Sequence, residues 1–354
     1  MIVVLVVAGC GDNVSFESTS ILLSGNESAS CAINNNGALY CWGRLYGHDD
    51  VAGEQGDPIT GLPAHKFPEL AWRQVSVATG HACAIRDDGT LWCWGRNCAG
   101  QLGDETRVSS AEPIQIGTQS RWVEVATGGG HSCAIDDEGS LACWGGIDLN
   151  QQDCSNTPTQ RLTRIEGTWR QVSSSMYTTH AIRSDGTLWR WNDFKFADDP
   201  RVPHEPPVQI GDHRWLAIAS GLSGVYGVRA DRTLAFVQFD QVDENQIGST
   251  ADWSASIAAR DHGCALKVDQ TLHCWGRNDM GQLGTGVPSD ELVVEPRQLG
   301  TFAGWTGVSA GWAQSCGVYQ NQIYCWGMNP DGQIGIGMPY DHEVRTPQQI
   351  GIQL

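Results

Sequence analysis

The sequence predicts an all-β fold, a seven-bladed β-propeller of four-stranded blades. The chain of 354 residues is rich in glycine (43) and tryptophan (15) and lacks long amphipathic helical patterns, which is typical of short strands joined by turns. A unit of about 48 residues recurs seven times. The chain also ends in Thr346-Pro-Gln-Gln-Ile-Gly351, the opening strand of a unit, whereas the first unit begins near Ile21 at its second strand. We therefore expect the C-terminal strand to complete the first blade and close the ring.

Each repeat unit has the same order of short apolar segments. It reads Pro-x-x-Ile-Gly, then Trp-x-x-Val, then a Gly/His loop, then Cys-Ala-Ile-x-x-Asp-Gly-x-Leu-x-Cys-Trp-Gly. Units 1 to 7 are numbered by the first cysteine position of this hairpin, occupied by Cys31, Cys83, Cys133, His180, Tyr226, Cys264 and Cys316. Four strands with two apolar faces are buried when such units stack around an axis.

The cysteines of five units fall into pairs with nearly constant spacing. Turn-forming residues such as Asp87-Asp88-Gly89 lie between the paired cysteines. A short hairpin loop of this kind puts both cysteines directly opposite each other, close enough for a disulfide. The predicted pairs are Cys31–Cys41, Cys83–Cys93, Cys133–Cys143, Cys264–Cys274 and Cys316–Cys325.

Two cysteines outside the hairpins, Cys98 and Cys154, are predicted to pair with one another. No CxxC or HxxxH spacing occurs, so we predict no metal site. Six disulfides are typical of a protein exported from the cytosol.

The N-terminal segment is predicted to be an export signal. Residues 2–8 form an apolar run, and Val7-Ala8-Gly9-Cys10 resembles the bacterial lipobox, whose cysteine is lipidated. We expect a signal peptide over 1–9, a lipidated terminus and linker over 10–20 starting at Cys10, and the propeller over 21–354. The protein would be a lipoprotein of the cell envelope, at the outer membrane or cell surface, or a secreted protein. The alternative is a buried first strand with a chance Gly-Cys.

The charge balance excludes one class of partner. With 40 acidic and 22 basic residues the net charge is −18, which repels phosphate backbones, so no nucleic-acid binding is expected. No stretch is apolar enough to span a bilayer. We expect a monomer that touches a membrane only through its lipid anchor.

The repeat resembles a known family. The pattern Gly-x-x-His-x-Cys-Ala-Ile…Asp-Gly-x-Leu-x-Cys-Trp-Gly-x-Asn-x-x-Gly-Gln-Leu-Gly is similar to the regulator of chromosome condensation repeat, and the likeness covers about residues 15–354. Its best copies run from Cys83 to Gly103, Gly128 to Gly145, Cys264 to Gly284 and Cys316 to Gly335. The resemblance is to exported bacterial members, the alpha-tubulin-suppressor-like group.

The resemblance implies a propeller and leaves the function open. Eukaryotic members include a nuclear exchange factor for a small GTPase, and secreted bacterial members include a β-lactamase inhibitor that binds through one face. Exchange activity is the least favoured alternative, because this acidic chain has no basic chromatin-binding tail and is predicted to be exported.

The repeated polar residues indicate structural roles. A histidine recurs two residues before the first cysteine as His81, His131 and His262, with Gln314 in unit 7, and such repetition indicates packing or loop hydrogen bonding. Turn-centre aspartates recur as Asp88, Asp185 and Asp231, where aspartate is favoured for local reasons. We predict no catalytic residues and no cofactor, and an enzyme with a site at the propeller mouth is the alternative.

One two-residue slot, just before the histidine position, varies between units. Equivalent loops of a propeller share one face and ring the central opening, and exposed aromatic and arginine side chains anchor interfaces. We predict a partner-binding rim formed by Met176, Tyr177, Arg260, Asp261 and Trp312. The alternative is that these side chains pack on neighbouring loops. The protein is therefore predicted to be a protein-binding module without catalysis.

Overall fold

In the computed structural model, residues 22–25, 29–43, 64–66, 71–118, 121–146, 162–176, 178–192, 206–239, 241–258, 262–337 and 343–351 are described. All regular secondary structure in these ranges is β-strand, and none of it is a helix that could cross a bilayer.

The strands follow the repeat units in chain order. The first three units contain β1 (Leu22–Gly25), β2 (Ala29–Ile33), β3 (Leu39–Gly43), β4 (Ala64–Lys66), β5 (Trp72–Val77), β6 (His81–Arg86), β7 (Leu91–Gly95), β8 (Ser110–Ile116), β9 (Trp122–Thr127), β10 (His131–Asp136), β11 (Leu141–Gly145) and β12 (Thr163–Ile165). Units 4 and 5 contain β13 (Trp169–Ser174), β14 (Thr178–Arg183), β15 (Thr187–Asn192), β16 (Val208–Ser220), β17 (Gly224–Arg229), β18 (Leu234–Gln238) and β19 (Glu244–Ile247). Units 6 and 7 contain β20 (Trp253–Ala258), β21 (His262–Lys267), β22 (Thr271–Asn278), β23 (Ser289–Ala303), β24 (Trp305–Ala310), β25 (Gln314–Tyr319), β26 (Gln322–Met328) and β27 (Glu343–Gln349).

These strands form antiparallel sheets of four. Five sheets have four strands each, and the sixth has seven, β13 to β19. The larger sheet arises because β16 is continuous: its first residues pair with β15 and its last residues pair with β17. It therefore serves as the outer strand of unit 4 and the inner strand of unit 5, so four strands per unit are retained.

The predicted place of the C-terminal strand is wrong. β27 pairs with β26 of unit 7, with Cys325 opposite Gln348, whereas unit 1 has its own fourth strand in β4, with Cys41 opposite Ala64. The Pro-x-x-Ile-Gly segment is thus the outer strand of the unit that precedes it in the chain. The physical reason is local: this segment directly follows the third strand, and it pairs antiparallel with that strand in the same sheet.

The first and last sheets nevertheless pack on each other. The first strands of successive units contact one another in order, and β24 of unit 7 contacts β1 of unit 1. The indole of Trp42 donates to the carbonyl oxygen of Gln333 (2.8 Å), as Trp144 donates to Gln101 (3.0 Å) between units 2 and 3. Unit 7 therefore meets unit 1 through the same contact that joins consecutive units.

The apolar core lies between adjacent sheets. One cluster joins Ile85 and Leu91 of unit 2 to Trp122, Val125 and Trp144 of unit 3, and the other interfaces have similar clusters. Strands such as β6 and β10 are therefore buried on both faces, which explains why their sequences are apolar without alternation.

The hairpin cysteines are bonded as their spacing predicts. The five disulfides join Cys31–Cys41, Cys83–Cys93, Cys133–Cys143, Cys264–Cys274 and Cys316–Cys325. Cys98 is also disulfide-bonded, but Cys154, its predicted partner, lies outside the described residues, as does Cys10. In units 4 and 5 the same register holds His180 opposite Arg190 and Tyr226 opposite Phe236.

Candidate functional site

The loops that follow the first strands of five units converge at one end of the stacked sheets. They surround an open, concave site, which we call the mouth. Its described lining comes from units 2, 3, 4, 5 and 7 and consists of Ala78, Thr79, Gly128, Gly129, Ser175, Met176, Ser220, Gly221, Leu222 and Trp312. The loops meet because each one leaves the inner strand of its unit at the same end.

Two of the five predicted rim residues line this mouth. Met176 reaches it from unit 4 and Trp312 from unit 7, and 36% of Trp312 is exposed. Tyr177, Arg260 and Asp261 lie outside the described residues. Leu222, which the sequence analysis does not place in the rim, also lines the mouth; its position in the same variable slot is the signal that could have identified it.

Met176 packs on a neighbouring loop and lines the mouth as well. A Cβ on Gly129 would lie 2.7 Å from the Met176 carbonyl oxygen and 2.9 Å from its Cγ. Glycine in unit 3 therefore leaves the room that the half-buried methionine of unit 4 occupies. The alternative interpretation, packing on a neighbouring loop, therefore applies to Met176, and its role in partner binding stays a prediction.

The described part of the mouth presents an apolar wall. Its large side chains are Met176, Leu222 and Trp312. The hydroxyl of Ser175 is hydrogen-bonded to Thr178 Oγ1 (2.9 Å) within its own loop. Methionine adapts its shape to a partner, and tryptophan is a frequent anchor of protein interfaces. Such a wall suits the apolar side chain of a partner.

The recurring histidines join neighbouring units by hydrogen bonds. The ring nitrogens of His81, His131 and His262 lie 2.8–3.0 Å from hydroxyls of the following unit, namely those of Ser132, Thr179 and Ser315. His180, which occupies the first cysteine position of unit 4, makes a similar bond to the hydroxyl of Ser220 (2.9 Å). Burial lowers the pKa of His81, His180 and His262 to about 3, so these rings are neutral at pH 7. A hydrogen-bonding role, as the sequence predicts, is what the structure shows.

The recurring aspartates are turn residues, also as predicted. Asp88, Asp185 and Asp231 each accept hydrogen bonds from the backbone and hydroxyl of the threonine two residues on. The hydroxyl bond, followed by the backbone bond, lowers the pKa of each carboxyl. These carboxylates are occupied within their own turns.

One buried acid, Glu124, was missed at the sequence level. Its Oε1 accepts from the backbone N–H of Val172 in the next unit (3.1 Å), and burial raises its pKa to about 8. Gln74 and Gln171 hold the equivalent place and make the same bond to Val125 and Ile218. The signal was available, since Glu124 is the one acid at the second x of Trp-x-x-Val.

The repeats match family models directly. Models described as "Regulator of chromosome condensation (RCC1) repeat" match residues 88–135 and 269–318 and residues 72–101 and 122–151. Together with the sheets of four strands, these matches define the class of protein. The matched segments are RCC1 repeats.

Relatives of known name share the repeats at modest identity. The Ultraviolet-B receptor UVR8 of Arabidopsis thaliana is 24% identical over 86% of this chain and 63% of its own length. The guanine nucleotide exchange factor SRM1 of Saccharomyces cerevisiae is 25% identical over 93% of this chain and 57% of its own. The chain thus spans less than two thirds of the length of these relatives.

Solved structures share the fold. The crystal structure of Prp20p from Saccharomyces cerevisiae, described with its binding to Gsp1p and histones, superposes with a TM-score of 0.70 at 19% identity, covering 83% of this chain and 81% of that one. The ectodomain of the Arabidopsis thaliana receptor kinase ACR4 superposes with a TM-score of 0.54 at 16% identity, covering 95% of this chain and 98% of that one. These likenesses identify an RCC1-type propeller fold.

Proposed function

We propose that the protein is an exported, lipid-anchored, closed seven-bladed propeller that binds another protein at its mouth and performs no chemistry. The observation that carries the proposal is the convergence of Met176, Leu222 and Trp312 from three different units on one concave opening. No local sequence rule requires three large apolar side chains at this place, and packing within one unit does not explain them.

The ring and its compartment have separate support. Closure is supported by the contact of Gln333 with Trp42 and Ser30, which repeats the contact between consecutive units. Export is supported by the five hairpin disulfides, because such bonds persist in oxidising compartments. A lipid on Cys10 would then hold the propeller at a membrane surface.

The test is affinity capture from a cell-envelope extract, with captured proteins identified by mass spectrometry. The oxidised protein is the bait, beside a triple-alanine variant at Met176, Tyr177 and Trp312. Val123→Ala is the matched control, since Val123 is 43% exposed at the other end of inner strand β9, away from the mouth. We expect a partner that the wild type and the control retain and the triple variant loses.

Two outcomes would contradict this function. If every captured protein is retained by the triple variant, the mouth is not the binding face. If neither bait captures a protein, a small ligand or an enzyme with a site at the mouth becomes the better interpretation. An enzyme would lose turnover abruptly on a single His, Asp or Glu change to Ala, whereas a binding surface loses affinity in graded steps.

Nucleotide exchange is a second candidate because one relative, SRM1, is a guanine nucleotide exchange factor. The disulfides weigh against it here, since a protein in an oxidising compartment does not meet a cytosolic GTPase. Exchange would require the hairpin cysteines to be reduced in the cell.

A further inference from the structure

We propose a second interaction surface, on the outer strand of unit 6, that binds an extended protein segment of alternating apolar and basic residues. We call this surface the β23 patch and define it by Leu292 and Val294 with the flanking carboxylates Asp290, Glu291 and Glu295. It is separate from the mouth and does not depend on the function proposed there.

The patch begins with two exposed aliphatic side chains on one strand. Leu292 is 65% exposed and Val294 is 69% exposed, while Val293 between them is 9% exposed. Val293 packs with Val308 and Trp326 of unit 7, so alternation along the strand puts Leu292 and Val294 together on the opposite face.

The other units provide an internal comparison at the same register. Val293 lies opposite Gly276, Val344 lies opposite Gly327 in unit 7, and Ser110 lies opposite Gly95 in unit 2. The residues on either side of this position are Glu343 and Arg345 in unit 7, which form an ion pair of 2.7 Å. Unit 6 therefore has aliphatic side chains where the equivalent strand of unit 7 has a charged pair.

Unit 2 gives the same contrast with small residues. Its equivalents of Leu292 and Val294 are Ser109 and Ala111, and the hydroxyl of Ser109 accepts from the Asn97 backbone N–H (3.1 Å). The fold thus does not need large apolar residues at these positions. Burial does not explain the large apolar side chains of Leu292 and Val294 in unit 6, whereas a role in binding does.

The position of β23 allows a strand to be added. It is the last strand of its sheet, beyond β22, and at 15 residues it is longer than the outer strands of the other units. An extended peptide can pair with such an edge through backbone hydrogen bonds, while alternate side chains provide specificity.

The charge of the patch indicates the chemistry of the occupant. Asp290, Glu291 and Glu295 are all exposed, and Arg297 is the one basic residue of β23. Lysine or arginine between apolar residues would complement both the carboxylates and the aliphatic pair. A second copy of this chain is disfavoured, because two β23 edges would bring like charges opposite each other.

The probe for this surface is a synthetic peptide of about six residues alternating lysine and valine, the usual length of a strand. The test variant is Leu292→Glu with Val294→Arg, which installs the pair that unit 7 carries at the same register. It leaves the net charge unchanged, so nonspecific attraction of the peptide to an acidic protein is unaffected. Val208→Gln, at a valine that is 53% exposed on the outer strand of unit 4, is the matched control.

We expect fluorescence anisotropy to show that the double variant weakens peptide binding by about tenfold or more. Val208→Gln and the mouth variant Trp312→Ala should bind like the wild type, and thermal melting should show all variants folded. The proposal is overturned if the double variant binds like the wild type, if the wild type does not bind, or if a glutamate–valine peptide binds equally well. Loss of binding in Trp312→Ala would move the peptide to the mouth, and a wild-type dimer that the double variant abolishes would identify a second copy as the occupant.

Discussion

At the scale of single residues, several hydrogen bonds between units are made by ionisable side chains that burial keeps uncharged. Glu124 has a pKa of about 8, and His81, His180 and His262 have pKa values of about 3. Each shift means that the folded and unfolded chains bind different numbers of protons over a defined pH range, so stability depends on pH there.

Glu124→Gln should stabilise the protein increasingly as pH rises from 4.5 to 8. Over this range the unfolded chain ionises Glu124 while the folded chain keeps it protonated, so the wild type loses stability with rising pH, by at most about 1.4 kcal/mol per pH unit. Urea unfolding of both proteins at several pH values measures the difference. Gln171→Glu, at the equivalent buried position, should instead destabilise the protein increasingly over the same pH range. A difference in stability between Glu124→Gln and the wild type that does not change with pH would contradict the raised pKa.

His262→Gln should make the protein less sensitive to acid. Below pH 6.5 the unfolded chain protonates His262 while the folded chain holds it neutral, so this residue lowers wild-type stability as pH falls toward 3. Glutamine already occupies the equivalent place in unit 7, where Gln314 lies opposite Gly327 as His262 lies opposite Gly276.

The measurement is the unfolding midpoint in urea at pH 7 and pH 4. Any excess of the wild-type midpoint over that of His262→Gln at pH 7 should shrink, or reverse, at pH 4. An equal difference in midpoint at both pH values would contradict a folded-state histidine that stays neutral.

At the scale of the element, each unit depends on a hairpin whose turn and cross-strand pair are encoded locally. A turn such as Asp269 to Thr271, with the carboxylate accepting from the threonine N–H (3.0 Å), sets the register that places Cys264 opposite Cys274. Units 4 and 5 keep that register without a disulfide; in unit 5, Tyr226 and Phe236 have ring centroids 4.6 Å apart.

Replacing Cys264 and Cys274 together by alanine should therefore destabilise the protein without abolishing its fold. The disulfide constrains the unfolded chain, and we expect the free energy of unfolding to fall by about 2–4 kcal/mol. Circular dichroism during urea unfolding measures the loss. The difference from the wild type should largely disappear when both proteins are reduced, and its persistence would mean that packing, not the crosslink, is responsible.

At the scale of the whole molecule, the proposed closed ring predicts that the first and last units hold each other as firmly as any other pair. Trp42→Phe removes the indole bond to Gln333 between units 1 and 7, and Trp144→Phe removes the same bond to Gln101 between units 2 and 3. Both should lower the free energy of unfolding by about 1 kcal/mol. A much smaller effect of Trp42→Phe would contradict closure.

Export predicts the state of all thirteen cysteines. Protein taken from intact cells in the presence of an alkylating reagent should contain no free thiol, because twelve cysteines would be in disulfides and Cys10 would carry lipid. Intact-mass spectrometry counts the alkyl groups. Abundant labelled thiols would contradict export and would favour the alternative function, a cytosolic exchange factor.

The repeats made the site partly predictable. The variable slot before the histidine position pointed to Met176 and Trp312, because comparing units separates residues that the fold needs from residues that it does not. The exposure of Leu292 and Val294, in contrast, could not be predicted. Their exposure depends on which face of β23 packs on unit 7, and a single strand's sequence does not specify that.

The sequence by itself determined the all-β class, the hairpins, their register and the cysteine pairing, since turn chemistry and alternation act over a few residues. Only the tertiary structure decided that the Pro-x-x-Ile-Gly strand belongs to the preceding unit, because a tandem repeat carries no mark of where one unit ends. Tertiary structure also decided which loops share the mouth and that Glu124 is buried. Those properties arise where one sheet packs on the next, between residues far apart in the chain.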